Sequence, residues 1–103
     1  MVQLKVFWTK TAIKQRNYVF KYWNERNKST EYSKRLNIKI MERTSLLKSQ
    51  PKLGVRSDFK SVRIVSLGHY SILYKIEEQK IIIVGFWDNR QDPDKLLRYI
   101  TND

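Results

Sequence analysis

Hydrophobic positions change period several times along this chain, and each change marks an element. From Val2 to Trp8 they alternate: Leu4, Val6 and Trp8 share one face while Lys5 points the other way, which predicts a strand. Thr9 is placed to cap a helix that runs to about Asn27, because Ala12, Ile13, Val19, Phe20 and Trp23 recur at helical spacing. Arg16 falls inside that apolar stripe and must either snorkel or pair with something buried. Asn27-Lys28-Ser29-Thr30 breaks the pattern, with Ser29 or Thr30 as the next cap and Glu31 in the first turn.

A second helix is predicted to about Lys48. Leu36, Ile40 and Leu47 mark its inner face with Thr44 between them, and Lys34, Arg35, Lys39 and Arg43 cover much of the rest. The short connection implies an antiparallel helical hairpin. Pro51 and Gly54 punctuate a loop. Alternation then returns: Val62, Ile64 and Ser66 against Arg63, Val65 and Leu67; a turn near Gly68; Tyr70, Ile72, Tyr74 and Ile76 against Ser71, Leu73, Lys75 and Glu77. A turn at Glu77-Glu78-Gln79 leads to Ile81–Trp87, apolar on both faces as in a central strand covered on both sides. Asp92 and Pro93 read as the cap and first residue of a short final helix through Ile100. The predicted order is β-α-α-β-β-β with that last helix: an α+β fold in which the helical hairpin covers one face of an antiparallel sheet that the first strand joins.

At 103 residues the chain fits a single domain, 1–103. Charge sharpens the picture. The 21 Lys and Arg against 10 Asp and Glu give a net charge of +11, beyond the roughly 2–8 that solubility asks of a small domain. The excess is uneven: sixteen basic and four acidic residues precede Ile64, five and six follow. A basic half of this kind attracts polyanions, although a solvated basic surface is the plainer reading. No cysteine is present, which excludes disulfides and thiolate metal sites and permits a cytoplasmic location. The first residues form no signal-peptide core, and no apolar run approaches the ~20 residues that span a bilayer, so a soluble protein with no membrane role is expected.

The usual catalytic templates are missing. Three scattered glycines make no phosphate loop, and one histidine supports neither a metal site nor a Ser-His-acid triad; no cofactor, metal or small-molecule substrate is expected. What remains is a set near the sheet: Arg63, His69, Tyr70, Tyr74, Trp87, Asp88 and Arg90. Arginine can clamp a phosphodiester, histidine can trade protons near neutrality, and the rings can stack on a base. Equally, His69 can be a solvated turn residue, Tyr74 and Trp87 packing residues, and Asp88 a local turn acid.

Val62-Arg63 followed by Gly68-His69-Tyr70-Ser71-Ile72-Leu73-Tyr74-Lys75-Ile76 resembles the second and third strands of the RelE/ParE toxins of bacterial toxin–antitoxin pairs. Ile81 to Pro93, with its Trp87-Asp88-Asn89-Arg90-Gln91-Asp92-Pro93 ending, is similar to the family's last strand and tail; Phe7-Trp8-Thr9-Lys10-Thr11-Ala12 is similar to its opening, and Leu46-Leu47 with Pro51 and Gly54 to its helix exit. The resemblance implies a growth inhibitor silenced by a cognate antitoxin. It also implies one of two targets: DNA gyrase, bound without chemistry by the ParE branch, or ribosome-bound mRNA, cut by the RelE branch. In the nuclease version Arg63, His69 and Arg90 carry the chemistry. In either, Arg63, Tyr70, Tyr74, Trp87, Asp88 and Arg90 face the target. Two positions depart from the nuclease pattern: Val65 stands where a second basic residue is usual and Ser71 where a catalytic arginine is usual, which favours the ParE-like binder.

Overall fold

A computed structural model describes residues 4–57 and 61–91. In chain order the elements are strand β1 (Lys5–Trp8), helices α1 (Lys10–Asn27) and α2 (Glu31–Ser49), and strands β2 (Val55–Arg56), β3 (Arg63–Leu67), β4 (Tyr70–Glu77) and β5 (Lys80–Asp88). The predicted final helix after Asp92 lies outside the described residues.

Local chemistry sets the helix limits. Thr9 is extended and its hydroxyl accepts the Ala12 amide at 3.2 Å, satisfying one of the free donors at the start of α1. α1 ends where Lys28 turns left-handed (φ 51°) and its amide returns to Asn24 O. Thr30 precedes α2 but makes no side-chain cap; Ser29 Oγ accepts the Glu31 amide instead. The two helices are tied by Ser33 Oγ, which donates to Phe20 O at 3.0 Å. Arg16 snorkels: its guanidinium lies 4.8 Å from the Trp8 ring centroid and 5.8 Å from that of Phe20, with Asn17 Oδ1 accepting its Nε and Nη2 N–H groups.

The sheet has five strands in the order β1-β5-β4-β3-β2. It corrects the sequence reading twice. β1 runs parallel to β5, so the sheet is mixed and not purely antiparallel, and a two-residue strand β2 adds an edge to β3. β3, β4 and β5 form the expected meander. α1 lies mainly over β5, and α2 reaches the two sides of the sheet at β1 and β3. Between helices and sheet sits the main core, with Ala12, Leu36, Ile40 and Leu47 meeting Ile72 and Ile83. Each of these leucines and isoleucines contributes about 1.5–3 kcal/mol on burial. A second, smaller cluster of Val62, Leu73 and Trp87 covers the opposite face, which accounts for the doubly apolar β5.

β5 could not fill both clusters by strict alternation. Opposite the step from Leu73 to Tyr74 it advances two residues, from Gly85 back to Ile83, so Val84 is an extra residue in a bulge. The bulge resets the parity, and Ile83 and Phe86, three apart, both enter the helix-side core. The Phe86 amide is bonded at 2.8 Å by Gln15 Oε1 from α1. Among the described residues no helix is long and apolar enough to cross a membrane.

Candidate functional site

The seven residues singled out by sequence fall into three places. Tyr70, Asp88, Arg90 and His69 gather at the sheet end where β3 turns into β4 and β5 leaves. Arg63 and Tyr74 sit together four residues further along β4, about 13 Å away at strand rise. Trp87 is buried in the small cluster on the opposite face.

At the first place, β4 and β5 pair Tyr70 with Asp88. A tight turn follows, closed by the Gln91 amide on Asp88 O at 3.0 Å, while the Asn89 amide donates to His69 O at 2.8 Å and joins the two loops. This turn brings Arg90 back onto Asp88. Its Nε and Nη2 donate to Oδ1 and Oδ2 at 2.9 and 2.8 Å, and its amide donates to Oδ1 at 2.9 Å. The donated guanidinium bonds hold the Asp88 carboxyl below the usual aspartate range, with a further small contribution from His69, and keep Arg90 firmly charged. Asp88 is thus largely covered while half of the Arg90 side chain faces solvent.

Tyr70 stacks on Phe86 at 5.1 Å, and its hydroxyl accepts the indole N–H of Trp23 at 2.8 Å. Desolvation by burial is the main force pushing this phenol up to about 12. It stays protonated at neutral pH and is no general base.

α1 completes the wall. Tyr22, Trp23 and Arg26 join Tyr70, Asp88 and Arg90 around a cleft of about 400 Å³. Tyr22 meets Trp23 edge-on at 5.1 Å, Tyr32 of α2 packs on the other side of Trp23 at 5.0 Å, and the Arg26 guanidinium lies 5.8 Å over the Trp23 ring. Sequence reasoning missed this helix contribution. Its signal was present in the recurrence of Tyr18, Tyr22 and Arg26 every four residues, a second stripe beside the apolar one.

At the second place, Arg63 and Tyr74 hold the loop after α2. The Tyr74 hydroxyl donates to Pro51 O at 2.7 Å and accepts the Gly54 amide at 2.8 Å; Arg63 Nη1 donates to Gly54 O at 2.8 Å and more weakly to Lys52 O at 3.4 Å. A Cβ on Gly54 would lie 2.7 Å from the Tyr74 ring, so only glycine fits. Burial raises the Tyr74 phenol above its ordinary range.

The two positions where a nuclease member would carry further charge are apolar or turned away. Val65 is buried in the helix-side core. Ser71 is buried and donates to Asn89 Oδ1 at 2.6 Å. Among the described residues no group of three His, Cys, Asp or Glu side chains gathers as metal ligands would.

Comparison with known proteins agrees with this architecture. A solved structure described as the chromosomal ParDE toxin–antitoxin system from P. aeruginosa superposes with a TM-score of 0.71 at 17% identity, covering 84% of this chain and 96% of that one, a likeness of fold. No curated protein matches the sequence. The family model of the ParE toxin of the type II toxin–antitoxin system, parDE, matches residues 6–93. The chain belongs to the ParE toxin family of type II toxin–antitoxin systems.

Proposed function

We propose that this toxin acts in the cytoplasm by binding DNA gyrase and stalling it, without cutting RNA, and that a cognate antitoxin silences it. One observation carries the reading: both arginines that could clamp a scissile phosphate already have partners. Arg63 is spent on loop carbonyls and Arg90 on Asp88, while Ser71 stands in place of a third cation. RNA cleavage through the 2′-hydroxyl requires preorganised charge on the developing phosphorane and a group able to take a proton. Loss of one such donor costs about 3–4 kcal/mol of transition-state stabilisation. A protonated Tyr70 and an exposed turn histidine do not replace that set. A binder needs complementary shape and charge, and an exposed Arg90 fixed by Asp88 is suited to it.

The test is tightly controlled expression with sampling before growth stops. Expected are a DNA-damage response with mRNA intact, inhibition of supercoiling by purified gyrase, and restored growth when a small neighbouring open reading frame is co-expressed. Prompt cleavage of translated mRNA within codons overturns the gyrase reading in favour of the ribosome-dependent nuclease.

A further inference from the structure

The exposed side of the helical hairpin carries an arrangement that target poisoning does not require. Tyr18, Tyr22 and Arg26 recur at one-turn intervals on α1, about 6 Å apart along the axis. Tyr18 is 67% and Tyr22 44% exposed, unusual for rings this large. Tyr22 is fixed by its edge contact with Trp23 and by Arg26 Nη1, 3.4 Å from its hydroxyl. Tyr32, whose ring packs on Trp23 at 5.0 Å, lines a second hollow of about 290 Å³ together with Arg35 and Lys39. Among the described residues Asp88–Arg90 is the only ion pair within 4.0 Å, so Arg26, Arg35 and Lys39 have no carboxylate partner there.

We propose that this face binds single-stranded nucleic acid, with bases stacking on Tyr18 and Tyr22 and phosphates held by Arg26, Arg35 and Lys39. Exposed ring faces next to unneutralised cations are what a flexible strand requires: stacking accepts any base, and the cations follow the backbone. A duplex would leave the rings idle, because its bases are already stacked. An acidic helix would find few aliphatic anchors, since among the described residues Val19 is the only aliphatic side chain lining the larger cleft. Tyr18, Tyr22 and Arg26 line the same cleft as the Arg90 offered to gyrase, but the proposal involves no cleavage and is read by oligonucleotide affinity, so its failure is distinct from failure to inhibit supercoiling.

The test is fluorescence anisotropy of the purified full-length chain with labelled oligo-dT and oligo-rU of about 12 nucleotides, within the site sizes of such surfaces. Saturable binding is expected, with a log–log salt slope of about −2, as three neutralised phosphates on a single strand give. The Y18A/Y22A pair should weaken binding at least about tenfold and leave the slope unchanged. The R26Q/K39Q pair should bring the slope to about −0.7. All four positions are at the surface, and circular dichroism checks that the variants fold. K5Q/K80Q removes equal charge at the other end of β5 from Asp88 and should change little. The proposal is overturned if K5Q/K80Q loses as much affinity as R26Q/K39Q, which means diffuse charge alone. It is also overturned if dTMP binds as tightly as the oligomers, or if neither oligomer binds; in that last case a tyrosine pair that weakens the antitoxin marks a protein-docking face.

Discussion

Replacing Tyr74 by Phe deletes one oxygen from the clasp that fastens the α2–β3 connection. The hydroxyl receives the Gly54 amide at 2.8 Å and donates to Pro51 O at 2.7 Å. Gly54 is buried, so its N–H is left without water or partner, a loss of about 1–3 kcal/mol. Pro51 is half-buried, and its carbonyl recovers most of its bond from solvent. The sum is about 1–3 kcal/mol, a substantial share of the 5–15 kcal/mol typical of a whole domain. For a domain near this length it lowers Tm by about 5–15 °C. Urea unfolding followed by circular dichroism reads it directly: the midpoint falls and the m-value holds, because the surface exposed on unfolding is the same. Arg63→Met probes the same clasp from the other side, removing the donor to Gly54 O, and the double variant should lose less than the two single losses added. A Y74F loss below about 0.5 kcal/mol, or strict additivity with R63M, refutes the clasp. Because Arg63 here is a strut, R63M should still arrest growth at temperatures where it is folded.

Four further outcomes follow from the same physics. Asp88→Asn should cost no more than about 1 kcal/mol near neutrality, the ceiling for a pair whose arginine is half in solvent. Asp88's folded carboxyl is depressed, so its contribution is present above the ordinary aspartate range and lost as pH falls through the folded value; the wild-type advantage over D88N should therefore vanish in acid unfolding curves. Tyr70→Phe should remove tyrosinate absorbance that develops near pH 12; the raised phenol contributes stability fully below about 10 and loses it as pH climbs to about 12, so alkaline denaturation should shift as well. Gln15→Leu strands the Phe86 amide at the bulge and should cost about 1–3 kcal/mol in urea, with local amide exchange accelerated around Val84. Lys28→Gly relieves a left-handed non-glycine residue at the end of α1 and should raise Tm by a few degrees, a gain of about 0.5–1 kcal/mol.

What the sequence disclosed was local chemistry. Thr9 before Ala12 and Ile13, and the spacing of Leu36, Ile40, Thr44 and Leu47, specify caps and buried faces through geometry that adjacent residues share. Long-range pairing was not disclosed. Nothing in Lys5–Trp8 indicates that its neighbour is Lys80–Ile83 or that the two run parallel, since that register is set by how the hairpin packs over the sheet. β2 escaped because two exposed residues make no alternation. The Val84 bulge escaped because Ile81–Trp87 is apolar at nearly every position, which hides a change of parity. For the candidate site, Tyr70, Asp88 and Arg90 stood out as aromatic and charged residues at strand ends, Tyr70 beside the Gly68 turn and Asp88 and Arg90 where the last strand stops, and the pairing of β4 with β5 brings those ends together. Arg63 and Tyr74 could be placed on a face by alternation, but their partners, the carbonyls and amide of a loop, have no residue-type signature. Tyr18, Tyr22 and Arg26 were in view and were overlooked beside Val19 and Trp23, which fill the inner stripe.

The parallel pairing of β1 with β5 has a consequence for biosynthesis. Lys5 through Trp8 leave the ribosome early, yet the backbone groups they must bond belong to residues made some seventy-five positions later. Until that stretch emerges, the opening segment waits with Val6 and Trp8 uncovered and nothing to zip against. A message broken or abandoned before that point yields a protein that protease can attack and that lacks a finished edge. The sheet therefore gains its β1 edge only after residues 80–83 have been translated.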